Sequence, residues 1–331
     1  MSGWAYKKGV IEIANGAYAY LQPDGGWGWS NAGMVRDGDQ ALLIDTLFDE
    51  RLTREMLDAL AAASGCSEDQ IGSLVNTHAN GDHTHGNALL PRAEIYASEA
   101  SAREIRELPP SLLSALKAAG EVGNLGEGGR YFAELFAGFD FANSRGREPT
   151  RTFSGRLELQ IGDKPVSLIE VGPAHTAGDV LAYSPKDKAV FTGDILFIDG
   201  TPIMWAGPVE NWIRACDLIL ELNVEAIVPG HGPITDKAGV RRVQEYLRFV
   251  DREARKRYDA GMSSEEAALD IALGEYDAWG DAERIAVNVE TLYRGYGGGT
   301  RAASPVDLFA RMSRVVAARK RHGAPGRDKS S

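Results

Sequence analysis

Asn76-Thr77-His78-Ala79-Asn80-Gly81-Asp82-His83-Thr84-His85-Gly86-Asn87 gathers three of the chain's six histidines and an aspartate into one short stretch. It follows the apolar run Ile71 to Val75, which reads as a buried strand, so the polar cluster begins where a strand ends and a glycine-bearing loop starts. Imidazole and carboxylate are the usual protein donors to zinc. On a tight loop the neighbours Asp82 and His83 can aim at one ion while His78 aims elsewhere, so two metal positions can share the stretch. A single loop histidine reads most simply as a solvated side chain; so dense a cluster does not.

The stretch resembles the Thr-His-x-His-x-Asp-His signature of the metallo-β-lactamase superfamily, with one departure: Asn80 stands where the pattern has its second histidine. The family's later motifs are matched in order. Gly172-Pro173-Ala174-His175-Thr176-Ala177-Gly178-Asp179 follows the strand-like Val166 to Val171 and resembles the segment that supplies a further site-one histidine, here His175. Phe191-Thr192-Gly193-Asp194-Ile195-Leu196-Phe197 resembles the segment whose aspartate bridges two metals in glyoxalase II, which puts Asp194 in that place. Pro229-Gly230-His231-Gly232-Pro233 resembles the last ligand motif, with His231. Ala41-Leu42-Leu43-Ile44-Asp45-Thr46 resembles the strand whose final aspartate supports the ligand loop without touching metal, and Thr176 and Asp179 are expected beside the ligands in the same way. The resemblance implies an α/β fold, the four-layer αββα metallo-β-lactamase sandwich; periodicity alone gives only mixed α/β.

At 331 residues with 44% hydrophobic side chains, the chain can bury a large core and carry an appendage. A net charge of −11 disfavours nucleic acid and anionic membrane surfaces, and leaves a small molecule as the expected partner. Cys66 and Cys216 lie far apart, outside any Cys-x-x-Cys spacing, and read as buried thiols. Met1 to Val10 has no apolar core of a leader, and no run of eighteen apolar residues occurs, so a cytoplasmic protein with no membrane partner is expected.

Along the chain, Val10 to Leu21 and Gly33 to Thr46 read as strands joined by a glycine-rich loop carrying Trp27 and Trp29, expected to cover the substrate. Leu52, Met56, Leu57 and Leu60 mark an amphipathic helix, and Ala93 to Ala97 the next strand. A helical insertion is expected over about 98–153, with a flexible link Gly120 to Gly129 and an aromatic stripe Phe132, Phe136 and Phe139 on one helix. Strands resume at Leu157 and end in a helix containing Trp212 and Cys216. Residues 1–236 form the expected catalytic unit, 237–322 a helical region with no motif for chemistry, serving as scaffold or as a homodimer interface, and 323–331 a disordered tail.

By the resemblance, Asp82, His83, Asp194 and His231 make an intact second metal site, and His78, His175 and Asp194 with Asn80 a weaker first one, since an amide is a poorer zinc donor than imidazole. His85 is expected to support the site or meet substrate. The expected cofactor is zinc, one ion firm and a second weak, with Fe2+ or Mn2+ as alternatives. The expected activity is hydrolysis by metal-activated water, with Asp82 and His83 as catalytic residues and Trp27, Trp29, Met204 and Trp205 as the wall for an apolar or aromatic ester, lactone, thioester, amide or aryl halide. The alternatives are a non-haem iron oxygenase on the same fold and a non-catalytic binding module.

Overall fold

A computed structural model describes residues 3–23, 25–297 and 303–321. Strands β1 (Gly9–Ala14), β2 (Ala17–Leu21), β3 (Ala32–Asp37), β4 (Gln40–Ile44), β5 (Ile71–Val75), β6 (Glu94–Ser98) and β7 (Arg151–Phe153) pair in sequence order into one sheet. It is antiparallel up to β4 and parallel from β4 onward. A second sheet has the order β12 (Ala226–Val228), β11 (Ala189–Phe191), β10 (Val180–Ser184), β9 (Lys164–Glu170), β8 (Arg156–Ile161), with only β11 and β12 parallel.

Alternation along the strands decides how the layers stack. Leu42 and Ile44 of β4, with Leu21, Val35 and Val75, face Val166, Leu168, Val180, Ala182 and Phe191 of the second sheet in one apolar cluster. The intervening Ala41 and Leu43, with Tyr20, Met34, Leu74 and Ile95, join a second cluster with Leu52, Met56, Leu57 and Leu60 of helix α1 (Glu50–Ser64). On the other sheet Leu181, Val190 and Ile227 likewise join Trp212, Ala215, Cys216 and Ile219 of α5 (Val209–Glu221), which follows three inserted helices. A strand has side-chain period two, so each sheet buries one face on the other sheet and one under helices, which is the four-layer αββα sandwich.

Several local expectations need correction. Val10 to Leu21 and Gly33 to Thr46 are each a hairpin, because the chain reverses through Gly16 (φ +76°) and Gly38 (φ +56°). The insertion holds α2 (Glu99–Glu107), α3 (Pro110–Glu121) and α4 (Gly126–Leu135). Gly120 is a contact point: a Cβ there would lie 2.1 Å from the Gly129 carbonyl oxygen, so α3 and α4 touch backbone to backbone. α4 ends at Leu135, so of the aromatic stripe Phe132 alone is helical; Lys117 Nζ takes the Ala137 and Phe139 carbonyls, 3.2 and 2.9 Å away, in the turn beyond. Phe136 and Phe139 still pack on Phe48, at 5.3 and 4.9 Å between centroids, so the stripe belongs to the core.

After β12 come α6 (Lys237–Asp259), α7 (Ser264–Asp270), α8 (Ile285–Gly295) and α9 (Pro305–Arg321). Ser263 and Glu266 form a capping box at the start of α7. A Cβ on Gly128 would meet the Val306 carbonyl oxygen at 2.0 Å, so insertion and C-terminal helices are packed together. The expected disordered tail 323–331 lies outside the described residues.

Candidate metal centre

The fold delivers the chemistry-bearing side chains from strand ends. His78, Asp82 and His83 follow β5, His175 lies between β9 and β10, Asp194 follows β11 and His231 follows β12. Asp45 leaves β4 with φ +62°, a left-handed conformation that aspartate tolerates better than most side chains, and its carboxylate turns under the loop. It accepts from Thr77 N and Thr77 Oγ1, both at 2.7 Å, and from His83 Nδ1 at 2.9 Å. Asn76 and Asn87 pair through their amides at 2.8 and 3.1 Å, and Asn76 also donates to the His83 carbonyl at 3.0 Å. A Cβ on Gly230 would meet Asp194 Oδ1 at 1.9 Å, so only glycine lets the His231 loop approach that carboxylate.

Two groups result. His78, His175 and Asp194 bring one ligand atom each within 4.8 Å of one another, and so do Asp82, His83 and His231. Asp194 faces both: its Oδ2 lies 3.7, 3.4 and 3.4 Å from Nε2 of His78, His175 and His231, and its Oδ1 3.1 Å from Nε2 of His83. All six residues are buried.

The orientation of the rings follows from what lies behind them. His83 Nδ1 faces Asp45, His175 Nδ1 the Ile203 carbonyl at 2.6 Å, His231 Nδ1 the Gly25 carbonyl at 3.1 Å, and His78 Nδ1 the Thr77 hydroxyl at 3.1 Å. Carbonyls and carboxylates only accept, and Thr77 Oγ1 already gives its hydrogen to Asp45. Every Nδ1 therefore carries a proton and every Nε2 points into the groups, the arrangement that presents a lone pair to a metal.

The metal-free charges are strongly perturbed. Burial raises Asp82, but His83 and His231 outweigh it and hold the carboxyl at about 2. Burial lowers His231, and Asp194 and Asp82 more than reverse this, to about 9. His83 is likewise held well above its ordinary value despite burial, chiefly by Asp194 and Asp45, while burial drives His78 and His175 down. Burial raises Asp194, yet His231 and His83 bring it well below the usual carboxylate range.

These residues fit a divalent cation on a further count. Nε2 of His78, Nε2 of His83 and Oδ1 of Asp194 are buried without any hydrogen-bond partner. Such an atom costs about 1–3 kcal/mol unless something meets it, and His83 Nε2 and Asp194 Oδ1 have only each other, 3.1 Å apart.

The remaining expected residues lie as follows. Asn80 is half-buried, its side-chain nitrogen 3.3 Å from His175 Nε2. Asp179 accepts from Thr176 N at 3.0 and 3.1 Å and from Thr176 Oγ1 at 2.7 Å, closing the turn that carries His175, and burial pushes its carboxyl up to about 7. His85 belongs to neither group; it sits against Phe48 and Phe141 with Nε2 3.3 Å from the Leu108 carbonyl, and burial lowers it to about 4. Trp27 and Trp29 are half-buried against Phe136 and Phe139. Trp205 is half-buried beside the first group, its N–H on the His175 carbonyl at 2.9 Å, whereas Met204 is buried in the core with its N–H on Asn288 Oδ1 at 2.7 Å.

Phe197, Glu283 and Arg284 carry no such expectation yet stand at the centre. Phe197 stacks on His231, and the Glu283–Arg284 pair preceding α8 reaches Trp27 and Phe197. The one signal in the sequence is an acid–base pair directly before the mostly apolar run Ile285 to Val289.

The family model described as the metallo-beta-lactamase superfamily matches residues 25–231, well over half of the chain and the whole span of the two groups. The chain belongs to the metallo-β-lactamase superfamily. Among relatives, it is 24% identical over 218 residues to a "Beta-lactamase-like protein 2 homolog" of Caenorhabditis elegans, covering 66% of this chain and 60% of that one. It is 24% identical over 180 residues to a "Hydroxyacylglutathione hydrolase" of Methylococcus capsulatus, covering 54% of each. The chain thus spans only a little over half the length of these relatives. Of solved structures, a metallo-beta-lactamase from Pontibacter korlensis superimposes with a TM-score of 0.54 at 20% identity, covering 73% of this chain and 99% of that one. A stereoselective inverting sec-alkylsulfatase from Pseudomonas sp. does so with 0.64 at 16%, covering 91% and 52%. At these identities the superpositions speak for the fold alone. No helix among the described residues is long and apolar enough to cross a membrane.

Proposed function

We propose that the chain is a metal-dependent hydrolase that cleaves a small apolar or aromatic substrate, a thioester or ester first, and after these a lactone, an amide or an aryl halide. The observation that carries this reading is the pair of buried His/Asp groups sharing Asp194, with Nε2 of His78 and His83 and Asp194 Oδ1 unpartnered and converging. Relatives named hydroxyacylglutathione hydrolases put thioesters ahead of the other classes.

His78, His175 and Asp194 would hold one ion and Asp82, His83 and His231 with Asp194 the other, zinc being the metal this donor set favours. Zinc, if held there, would make hydroxide available near neutral pH. The protein's share is orientation and proton handling. Asp82, ionised from about pH 2 upward, would accept or aim the proton of an attacking water through the carboxylate oxygen that is not turned to His231. Trp27, Trp29 and Trp205 are half-buried, and as a wall beside the centre they would favour an apolar substrate or leaving group.

A second reading is favoured by one observation: Asp82, His83 and His231 form by themselves a two-histidine, one-carboxylate group of the kind that suits non-haem iron(II). One experiment separates the readings. Purified protein is analysed for metal, then assayed with and without chelator on a panel of thioesters, esters and lactones under air and under argon. Metal-dependent cleavage indifferent to oxygen supports the hydrolase; bound iron with oxygen-dependent turnover replaces it, and no metal uptake sinks both.

A further inference from the structure

His231 is held from three sides. Its Nδ1 donates to the Gly25 carbonyl at 3.1 Å, its ring stacks on Phe197 with centroids 5.1 Å apart and planes 3° from parallel, and its Nε2 faces Asp82 and Asp194 at 3.2 and 3.4 Å. The first two supports lead back to one residue. Arg284, 2% exposed, lies with its guanidinium carbon 5.1 Å from the Phe197 ring centroid and 4.5 Å from that of Trp27, two residues beyond Gly25. The adjoining Glu283 accepts from Trp27 Nε1 at 2.8 Å and from the Tyr131 hydroxyl at 3.1 Å, so Trp27 is gripped on its face and on its edge.

A buried guanidinium is costly unless it is partnered. Arg284 Nη1 donates to the Thr201 carbonyl at 2.9 Å and Nη2 lies 3.2 Å from Asp281 Oδ2, so the charge is answered locally. What the group offers its other neighbours is shape: a flat cation between two ring faces, which a lysine ammonium does not reproduce. Phe197 is also tied to His231 through the backbone, since Ile198 N donates to the His231 carbonyl at 3.0 Å. A shift of Phe197 therefore moves the imidazole, and metal ligands tolerate only about 10–20° of misorientation.

We propose that Arg284 is a positioning residue for His231. Wedged between Phe197 and Trp27, it fixes both the ring that stacks on the imidazole and the loop whose Gly25 carbonyl takes the Nδ1 proton, so that the segment after the last ligand motif is part of the metal centre. This rests on the reading of the two groups as metal sites.

The test is cobalt(II) titration of dialysed protein followed by visible absorption. Arg284→Met, Arg284→Lys, Phe197→Leu and the double variant Arg284→Met/Phe197→Leu are each placed in a His78→Ala background, which isolates the second group, and in a His231→Ala background, which isolates the first. In the first background Arg284→Met and Phe197→Leu should weaken cobalt uptake about 10- to 100-fold, the range for partners standing behind a metal ligand, and Arg284→Lys by less. The double variant should lose less than the two single losses combined, because the two residues share the Phe197 ring. In the His231→Ala background the same changes should leave uptake alone. Unchanged uptake in the first background, or equal losses in both, overturns the proposal. Should Arg284→Met fail to fold, Phe197→Leu and Arg284→Lys carry the same comparison. A parent protein that takes up no cobalt overturns the metal reading itself, and this proposal with it.

Discussion

The side-chain nitrogen of Asn80 lies 3.3 Å from Nε2 of His175, so an amide meets the very atom through which His175 would face an ion. Turned either way, that amide is a weaker zinc donor than imidazole. Native protein dialysed against buffer should retain nearer one ion than two per chain, and Asn80→His nearer two, by elemental analysis. Two ions that survive dialysis in the native protein would contradict this.

Asp82, His83 and His231 form a group of their own, whereas His78 shares its group with the position that Asn80 weakens. Asp82→Ala and His231→Ala should therefore reduce turnover to background, and His78→Ala should leave a measurable fraction. Circular dichroism must first show that each variant is folded, since losing a ligand can cost the fold. Equal and complete loss in all three would mean that both groups work together.

Asp45 is the support of His83, and Asp45→Asn tests it with little change of shape, because asparagine also tolerates φ near +60°. The substitution sets an amide hydrogen against either His83 Nδ1–H or the donors of Thr77. Cobalt affinity should fall about 10- to 100-fold, and the metal-free protein should lose about 1–3 kcal/mol in denaturant unfolding from the unmatched buried donor. Unaltered affinity would show that His83 needs no carboxylate behind it.

The groups were legible in the sequence because each ligand is a side chain of distinctive chemistry placed just after an apolar strand. The sandwich was legible through the order of the motifs rather than through periodicity, although an unbroken apolar run such as Ala41 to Ile44 does say that both faces of that strand are buried. What orients the rings was not, for Gly25 and Ile203 act through carbonyl oxygens, which every residue has. Nor was Arg284, which lies more than fifty residues beyond His231 and comes to Phe197 only through the packing of α6 and α8. The aromatic stripe misled in detail because i, i+4, i+7 spacing is met equally by one helical turn followed by a tight turn, and Lys117 stabilises that ending from outside the segment.

The last prediction uses the raised proton affinity of His231. Without metal its imidazolium faces Asp194 and Asp82, which bring it from an ordinary 6.5 to about 9 against the effect of burial. A group whose folded pKa is raised stabilises the fold fully below its unfolded value and loses that contribution as pH rises through the folded value. In chelator, the melting temperature of the parent minus that of His231→Asn should thus be largest below pH 6.5 and shrink towards pH 9. Asp82, held at about 2, stays ionised across this window and does not reverse the trend. With metal the sign inverts, since an ion needs the unprotonated Nε2 and competes with the same proton. The rise in melting temperature on adding zinc or cobalt should therefore grow from pH 6.5 to 9, as tighter binding to the folded state stabilises it. Thermal unfolding at half-unit pH steps, with chelator and with metal, reads both slopes at once. A metal-induced rise that does not change with pH would mean that His231 is not among the groups the ion displaces a proton from.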